Sequence, residues 1–509
     1  MKKTLMLTAA VLLGFSLSLG VAAKTLRLAY DADPVSLDPH EQLSGGMLQL
    51  SHMIFDPLIR WNKESQFDGR LASSWERLDE YTVRFKLREG VKFHSGNDFT
   101  AKDVAWTFDR IKTSPDFKGL FQPFKELKVV DDYTIDLVTD KPYPLVLHMA
   151  TYIFPMDSAF YTGTDAKGLA KDMLKKHADT FASVNASGTG PYTVAERQQG
   201  VRVDFKRFAD YWDKKSPGNV DEIVLTPIKE APTRVAALLS GDVDFIAPVP
   251  PTDLDRIRNN VKVDLITMSG TRIITLQLNQ DRRPEFKDPR VRLAIVNAIN
   301  NEGIVKKIMK GFATPAAQQS PKGYAGHVAS LKPRYDLNKA QQMMKDAGYE
   351  KGFSVTMMAP KNRYVNDDDI AQAVTSMLSR INIKVDLKTM PKAQYWPMYD
   401  ERAADIMMIG WHADTEDSAN FTEFLAMCPD KETGYGQYNS GNYCNKEVDK
   451  LVIATQGETD AAKRAEMLQK IEQILHDDAA FVPLHWQDLA WAARKGVHVE
   501  EIVNVMNFP

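Results

Sequence analysis

The sequence predicts an α/β protein of two lobes, and three observations lead to this fold class. The chain has 509 residues, of which about 486 follow the leader described below, and this length exceeds one ordinary domain and predicts two or three. Strand-like and helix-like segments alternate without a fixed period, which disfavours a repeat solenoid. A second block with the texture of the first begins near residue 288. Two α/β lobes joined by crossovers explain this order better than one large sheet.

The N-terminus has the pattern of a secretory signal. Lys2 and Lys3 form a positive start, residues 5–19 are apolar or small, and residues 21–23 (VAA) offer a small-residue cleavage site. We expect cleavage after Ala23. An uncleaved membrane anchor is the alternative, but the apolar run is shorter than the roughly 20 residues that a span needs. No cysteine follows the cleavage site to accept a lipid.

The first block opens with a strand, a loop and a helix. Residues 24–31 alternate as a strand should, Pro34, Pro39 and Gly45 mark a loop, and residues 47–55 have helical character. Residues 81–87 alternate again, and Thr100 with Asp103 forms a capping box for a helix over 104–111. Residues 233–239 predict a short helix, and residues 243–246 predict a strand after it.

The second block repeats this alternation. Helical spacing appears from residue 288, at 338–347 before Gly348, and on one face of 370–381. Residues 353–358 and 383–387 read as strands, and residues 405–411 as a buried strand that leads into a polar loop. Residues 461–475 predict a late amphipathic helix.

Charge and cysteine content narrow the classes of protein further. The formal net charge is −3 and there is no block of like charges, so the sequence lacks the electrostatic footprint of a nucleic-acid or membrane-surface binder. The two cysteines, Cys428 and Cys444, lie in a loop-like stretch of an exported chain, which favours a disulfide bond worth about 3 kcal/mol. A metal site would need more Cys or His nearby, and no metal or other cofactor is predicted.

Several runs appear in the order found in one known family. These runs are residues 71–76 (LASSWE), 81–96 (YTVRFKLREGVKFHSG), 99–104 (FTAKDV), 188–192 (GTGPY), 211–212 (YW), 238–244 (LLSGDVD) and 288–292 (DPRVR). Together they resemble the periplasmic solute-binding proteins of peptide/nickel ABC transporters, solute-binding protein family 5, which includes dipeptide- and oligopeptide-binding proteins. The resemblance extends over nearly the whole mature chain.

The resemblance implies a periplasmic binding protein fold of type II, in the large peptide-binding class, with an inserted subdomain. Lobe I would comprise residues 24–63, 190–279 and 487–509, with the insertion at 64–189, and lobe II would span 280–486. It also implies a function: a monomer in the periplasm captures a dipeptide, short oligopeptide or related zwitterion. The partner would be an inner-membrane ABC permease with separate ATPase subunits.

The site residues follow from the same resemblance. A zwitterion loses water at both charged ends when it is enclosed, so each end needs an opposite charge. Asp414 is similar in position to the carboxylate that receives the α-ammonium in the family's peptide binders, and Arg363 to the arginine that receives the α-carboxylate. Trp411 is expected to form a wall by stacking. Gly410 and Tyr364 complete the predicted ligand-binding set.

Other ligands and functions remain open at this stage. The loop after Trp411 is more acidic than in the family's dipeptide binders, and Glu416 and Asp417 favour a second cationic group on the ligand. Relatives of this fold also imply non-peptide ligands: a nickel chelate, haem, glutathione or an opine-like compound. A chaperone-like role is a further alternative. A secreted hydrolase is disfavoured because the chain has no Gly-x-Ser-x-Gly and no His-Glu-x-x-His motif.

Overall fold

A computed structural model describes residues 24–33, 35–62, 66–216, 219–413 and 418–497. The predicted signal segment at 1–23 lies outside the described residues, and so do Asp414, Glu416 and Asp417. The strands, numbered in chain order, are β1 (Thr25–Tyr30), β2 (Ile59–Trp61), β3 (Phe67–Gly69), β4 (Ala72–Arg77), β5 (Thr82–Leu87), β6 (Phe124–Asp131), β7 (Thr134–Thr139), β8 (Tyr192–Gln198), β9 (Arg202–Arg207), β10 (Glu222–Pro227), β11 (Phe245–Ala247), β12 (Val263–Leu278), β13 (Ala313–Pro315), β14 (Ser354–Lys361), β15 (Lys384–Pro391), β16 (Ile406–Trp411) and β17 (Val482–Arg494).

The helices alternate with these strands through most of the chain. They are α1 (Gly45–Ile54), α2 (Ala101–Thr113), α3 (Val146–Ala150), α4 (Ser158–Tyr161), α5 (Phe181–Val184), α6 (Ala231–Ser240), α7 (Leu254–Arg258), α8 (Pro289–Ala298), α9 (Asn301–Lys307), α10 (Leu337–Asp346), α11 (Asp367–Ser379), α12 (Lys392–Asp400), α13 (Ala419–Leu425), α14 (Lys446–Gly457) and α15 (Ala461–Asp477), with 3₁₀ turns at Pro251–Asp253 and Pro284–Lys287. Among the described residues, no helix combines the length and the apolarity that a membrane crossing needs.

The largest sheet joins strands from both predicted lobes. Its hydrogen-bonded order is β15-β14-β16-β12-β17-β11-β1-β10-β9-β8, and β13 pairs with β17 off this path. The two long strands β12 and β17 run antiparallel to each other and carry the sheet from one side of the molecule to the other. The strands of the two sides are therefore hydrogen-bonded into one series through β12 and β17.

The side that contains β1 is built on a short parallel set. β1 pairs in parallel with β10 and β11, and β9 and β8 extend the sheet in antiparallel order. Helix α6 packs beside it and ends at Gly241, whose φ of 90° is the left-handed conformation that glycine adopts without strain. The predicted strand at 24–31 and the predicted helices at 47–55 and 233–239 correspond to β1, α1 and α6.

A separate four-stranded sheet, β4-β5-β7-β6, lies within the predicted insertion. The predicted capping box begins α2: the backbone N–H of Thr100 donates to Oδ2 of Asp103 at 2.9 Å. Buried aromatic side chains of this region, Phe85, Phe93, Phe99, Phe108 and Phe117, join the core that also contains α1.

The side that contains β14 has its own apolar core. β14 is parallel to both β15 and β16, α11 packs against β14 and β15, and α10 packs against α8. The apolar face predicted from helical spacing is the buried one, since Ile370, Val374 and Leu378 of α11 are fully enclosed. The division of the chain into lobe I, insertion and lobe II remains a prediction, and these names are used below for the ranges given above.

A disulfide bond joins Cys428 to Cys444, with a Cα–Cα distance of 4.4 Å. This confirms the pairing that the sequence predicts. The bond closes the loop between α13 and α14, beside a small core formed by those helices and α15.

Candidate functional site

Three neighbouring parallel strands of lobe II end at one place. β15, β14 and β16 lie side by side, and Arg363 and His412 follow the carboxyl ends of β14 and β16, while Lys392 begins α12 directly after β15. The crevice outside the carboxyl ends of parallel strands is where α/β proteins bind ligands. The topology therefore brings these side chains together although they are far apart in the sequence.

Two adjoining cavities occupy this crevice. The inner cavity, of about 50 Å³, is lined on one side by Gln42, Leu43, Ser44, Leu48 and Tyr152, and on the other mainly by Arg272, Arg363, Trp396, Gly410, Trp411 and His412. The side cavity, of about 60 Å³, is lined by Asp31, Asp33, Gln49, Leu50 and Met53 on one side and by Arg363 and Lys392 on the other. Arg363 borders both cavities, and each cavity has walls from both predicted lobes.

Arg363 is held in place by the first residue of α11. The buried carboxylate of Asp367 accepts the backbone N–H groups of Asn362 at 3.0 Å, Arg363 at 2.9 Å and Tyr364 at 2.9 Å. Burial raises the pKa of Asp367 to about 6, although these N–H groups act in the opposite direction. The loop after β14 is thus fixed by one side chain, which makes Asp367 a positioning residue for Arg363.

The guanidinium of Arg363 has a free hydrogen-bonding face. Its carbon lies 4.9 Å from the ring centroid of Tyr364, and its Nε is buried without a hydrogen-bond partner among the described residues. A buried donor without a partner costs about 1–3 kcal/mol. A carboxylate of a bound solute would satisfy it.

Trp411 both lines the inner cavity and belongs to the core. Its indole N–H donates to Oδ1 of Asn420 at 2.7 Å, and its ring stacks on Phe424 with centroids 5.2 Å apart. Only 7% of Trp411 is exposed. The stacking and the hydrogen bond fix the ring, so that it presents a rigid wall to the cavity.

Gly410 and Tyr364 are packed against each other. A Cβ atom at Gly410 would lie 2.6 Å from Cε1 of Tyr364 and 2.7 Å from Cδ1 of Ile274, so the glycine makes room for these side chains. The hydroxyl of Tyr364 donates to the carbonyl of Gly410 at 3.3 Å. Gly410 also lines the inner cavity, whereas the buried Tyr364 lies behind Arg363 and supports its guanidinium.

The structure brings Arg363, Gly410 and Trp411 to one cavity, with Tyr364 behind them. Asp414 follows Trp411 by three positions and lies outside the described residues.

Sequence reasoning missed Lys392 and Asp31. Asp31 is the last residue of the strand predicted at 24–31 and directly follows β1, and Lys392 lies five residues after the strand predicted at 383–387. A search for charged residues just past strand ends would have found Asp31. Lys392 could be placed only once β15 was known to lie beside β14, because the pairing of Pro391 with Lys361 brings it near Arg363.

The described part of the chain contains no group of side chains suited to bind a metal ion as a second site. The group of His, Cys, Asp and Glu side chains close enough to share an ion there comprises Cys428, Cys444 and Asp449. Both of its sulfur atoms are in the disulfide bond, so neither is a thiolate ligand.

An α/β fold with a crevice between two sides, lined by charged groups of both signs, defines the class of two-sided solute-binding proteins. The pattern of the family described as "Bacterial extracellular solute-binding proteins, family 5 Middle" matches residues 66–433. The chain belongs to this family, as the sequence motifs predict.

Individual relatives agree with this membership. The chain is 28% identical to the dipeptide-binding protein of Escherichia coli K12 over 498 residues, which cover 92% of this chain and 90% of the relative. It is 26% identical to the glutathione-binding protein GsiB of Shigella flexneri, with 94% and 92% covered. Among solved structures, a dipeptide-binding protein from Pseudoalteromonas in complex with Met-Leu superposes with a TM-score of 0.86 at 22% identity, covering 95% of this chain and 99% of that one. This likeness confirms the predicted two-lobed periplasmic binding protein fold.

Proposed function

We propose that this protein is the substrate-binding component of an ABC importer and that it captures a dipeptide, a short oligopeptide or a related zwitterion. The observation that carries the proposal is the guanidinium of Arg363, which borders two cavities between opposing walls and keeps a buried donor without a partner. A relative that is named dipeptide-binding and spans nearly the same length supports the peptide class of ligand.

Arg363 receives the α-carboxylate of the solute in this proposal. The planar guanidinium pairs with a carboxylate through two parallel hydrogen bonds, which fixes the orientation of the ligand as well as its charge. Asp367 and Tyr364 hold Arg363 ready for this contact, so little side-chain freedom is lost on binding.

Asp414 receives the α-ammonium, as the sequence comparison with peptide binders implies. It follows β16 by three residues, and β16 ends at Trp411 in the wall of the inner cavity. A dipeptide of roughly 3.3–3.6 Å per residue bridges two groups on adjacent loops. Trp411 covers the apolar part of the solute, and Gly410 lies beside it in the same wall.

The mechanism we infer is enclosure. The solute binds to one lobe, the lobes close around it, and the closed shape docks on the permease, whose separate ATPase subunits supply the energy. Closure is favoured because the solute contacts both walls only when they are together. Export through the N-terminal signal would deliver the monomer to the periplasm, where such capture takes place.

Non-peptide solutes and catalysis are the alternatives to this proposal. Glutathione is itself a zwitterionic tripeptide and falls within the proposed solute class, and a relative is named for it. Hydrolysis would need a nucleophile or metal that activates water. A binding protein instead returns its ligand chemically intact.

Calorimetry with a panel of dipeptides tests the proposal. We expect one-to-one binding, loss of affinity by about 2–5 kcal/mol when the carboxyl end is amidated or the amino end is acetylated, and recovery of uncleaved peptide by mass spectrometry. Binding that ignores both modifications would contradict the assignment of the two ends. Turnover of the peptide would refute the transport function.

A further inference from the structure

Two cations converge on the side cavity from neighbouring strands. Arg363 lies two residues after the end of β14, and Lys392 follows the end of β15. The pairing of Lys361 with Pro391 sets both ends level, so the two side chains enter the crevice side by side. Both line the side cavity, opposite Asp31, Leu50 and Met53.

Neither cation is neutralised by an ion pair in the described part of the chain. Lysines close by on the same strands do have partners: Lys361 lies 3.4 Å from a carboxylate oxygen of Asp368, and Lys388 lies 3.7 Å from one of Asp386. Arg363 and Lys392, which face the cavity, have no such contact among the described residues, and Nε of Arg363 lacks any hydrogen-bond partner there.

Charges of both signs act on Lys392. Burial, together with the charges of Arg363 and Arg272, lowers the pKa of Lys392 to about 7, whereas Asp31 and Asp33 act in the opposite direction. One oxygen of Asp33 accepts the backbone N–H of Gly200 at 3.0 Å and lies 3.9 Å from Arg197. The side cavity is thus lined by two cations, Arg363 and Lys392, and by two carboxylates, of which Asp33 lies near Arg197 and Asp31 has no ion-pair partner among the described residues.

The size of the side cavity limits what can enter. A cavity needs about 10–15 Å³ to hold one water molecule, so the 60 Å³ of the side cavity accepts about four to six heavy atoms. Its apolar lining includes Leu50, Met53 and Leu225, and its charged lining consists of Lys392, Arg363, Asp31 and Asp33. An acidic side chain, a short methylene stem with a terminal carboxylate, fits this combination.

We propose that Lys392 binds a second anionic group of the solute, beside the α-carboxylate at Arg363, and that the site thereby selects zwitterions whose carboxyl-terminal residue is acidic. This inference rests on the proposed function, because it assigns the side chain of a peptide whose α-carboxylate is already placed at Arg363. It makes Lys392 a specificity-determining residue. A second cationic group on the solute is the alternative that the sequence raises through Glu416 and Asp417.

Three dipeptides test the proposal by calorimetry: Ala-Asp and Ala-Asn, which are nearly equal in size, and Ala-Lys, which carries the opposite charge. The wild-type protein is expected to bind Ala-Asp about 10- to 100-fold more tightly than Ala-Asn, the range expected for a charge-assisted hydrogen bond. Lys392→Gln should bind the two with equal affinity. Lys388→Gln is the matched control, since Lys388 is exposed on β15, and it should keep the full preference.

The possible outcomes distinguish a failure of the role assigned to Lys392 from a failure of the proposed function. Equal binding of Ala-Asp and Ala-Asn by the wild-type protein, or an equal loss for both in Lys392→Gln, overturns the role of Lys392 and leaves the proposed function standing. Tighter binding of Ala-Lys overturns it in favour of a cationic side chain near Asp31 or the acidic segment. If no dipeptide binds, the proposed function fails and the inference fails with it.

Discussion

A network of polar side chains joins the predicted insertion to lobe II, and Asp400→Asn is the change that tests its role. Lys176 lies 2.9 Å from Asp116 and 3.0 Å from Asp400, and Nε2 of His177 lies 3.0 Å from the same oxygen of Asp400. The hydroxyl of Tyr438, whose ring lines the inner cavity, donates to Asp116. We call these five residues the latch.

The burial of the latch sets the expected magnitude. The side chain of Lys176 is 10% exposed, that of Asp400 26% and that of Asp116 fully buried. Burial opposes the charge on Lys176, yet Asp116 and Asp400 hold its pKa above the ordinary value. Removing one partner of a buried pair costs about 2–5 kcal/mol. Because Lys176 keeps Asp116 and Asp400 is partly exposed, we expect about 1–2 kcal/mol, or about 5- to 30-fold in ligand affinity.

The assay compares ligand affinity with the shape of the protein. Asp400→Asn should weaken dipeptide binding by that factor and raise the fraction of open molecules in solution scattering, because the latch joins the predicted insertion to lobe II. Asp386→Asn is the control, since it removes an exposed pair at 3.7 Å and should change affinity less than about twofold. If Asp400→Asn lowers the unfolding temperature and leaves affinity unchanged, the latch stabilises the fold alone.

Three further changes test other parts of the structure. Asp367→Asn should abolish most of the preference for a free carboxylate over a C-terminal amide, and it should cost about 2–4 kcal/mol of stability. Both carboxylate oxygens of Asp367 accept backbone N–H groups, so in either orientation the NH₂ group of the asparagine would face a backbone donor. His485 is fully buried, and burial lowers its pKa to about 4. As the pH falls through about 6.5, the imidazole is protonated in the unfolded chain but not in the folded one, so the contribution of His485 to the free energy of unfolding drops by about 2 kcal/mol between pH 7 and 5. Denaturant titrations at both pH values should show that His485→Leu loses correspondingly less stability on acidification. Replacing Cys428 and Cys444 by serine should lower the free energy of unfolding by about 3 kcal/mol, and an unchanged value would contradict the chain-entropy account.

Helices and strands that have a clear apolar pattern along the chain were predicted from the sequence. The helix α11 follows from apolar spacing and β16 from an apolar run, and both are buried where expected. The long strand β12 gives no such signal, because Ser269, Gly270 and Thr271 at its centre resemble a turn. The structure explains the glycine differently: a Cβ at Gly270 would lie 1.8 Å from the carbonyl oxygen of Gln487, so only glycine lets β17 pass this closely.

The candidate site was likewise predictable where its residues follow a recognisable strand. Arg363, Trp411 and Gly410 came from motifs that stand next to recognisable strands, and they line one cavity. Asp31 stands at the end of a predicted strand and could have been found in the same way. Lys392 depends on β15 lying beside β14, a tertiary relation that the spacing of residues along the chain does not encode.

The central claim is that Arg363 neutralises the carboxylate of an enclosed zwitterion. A two-by-two comparison by calorimetry tests it most directly: wild-type protein and Arg363→Ala, each with a dipeptide and its C-terminal amide. We predict that the wild-type protein loses about 2–5 kcal/mol on amidation and that Arg363→Ala binds both ligands equally weakly. A variant without Arg363 that still discriminates the free acid from the amide would contradict the account.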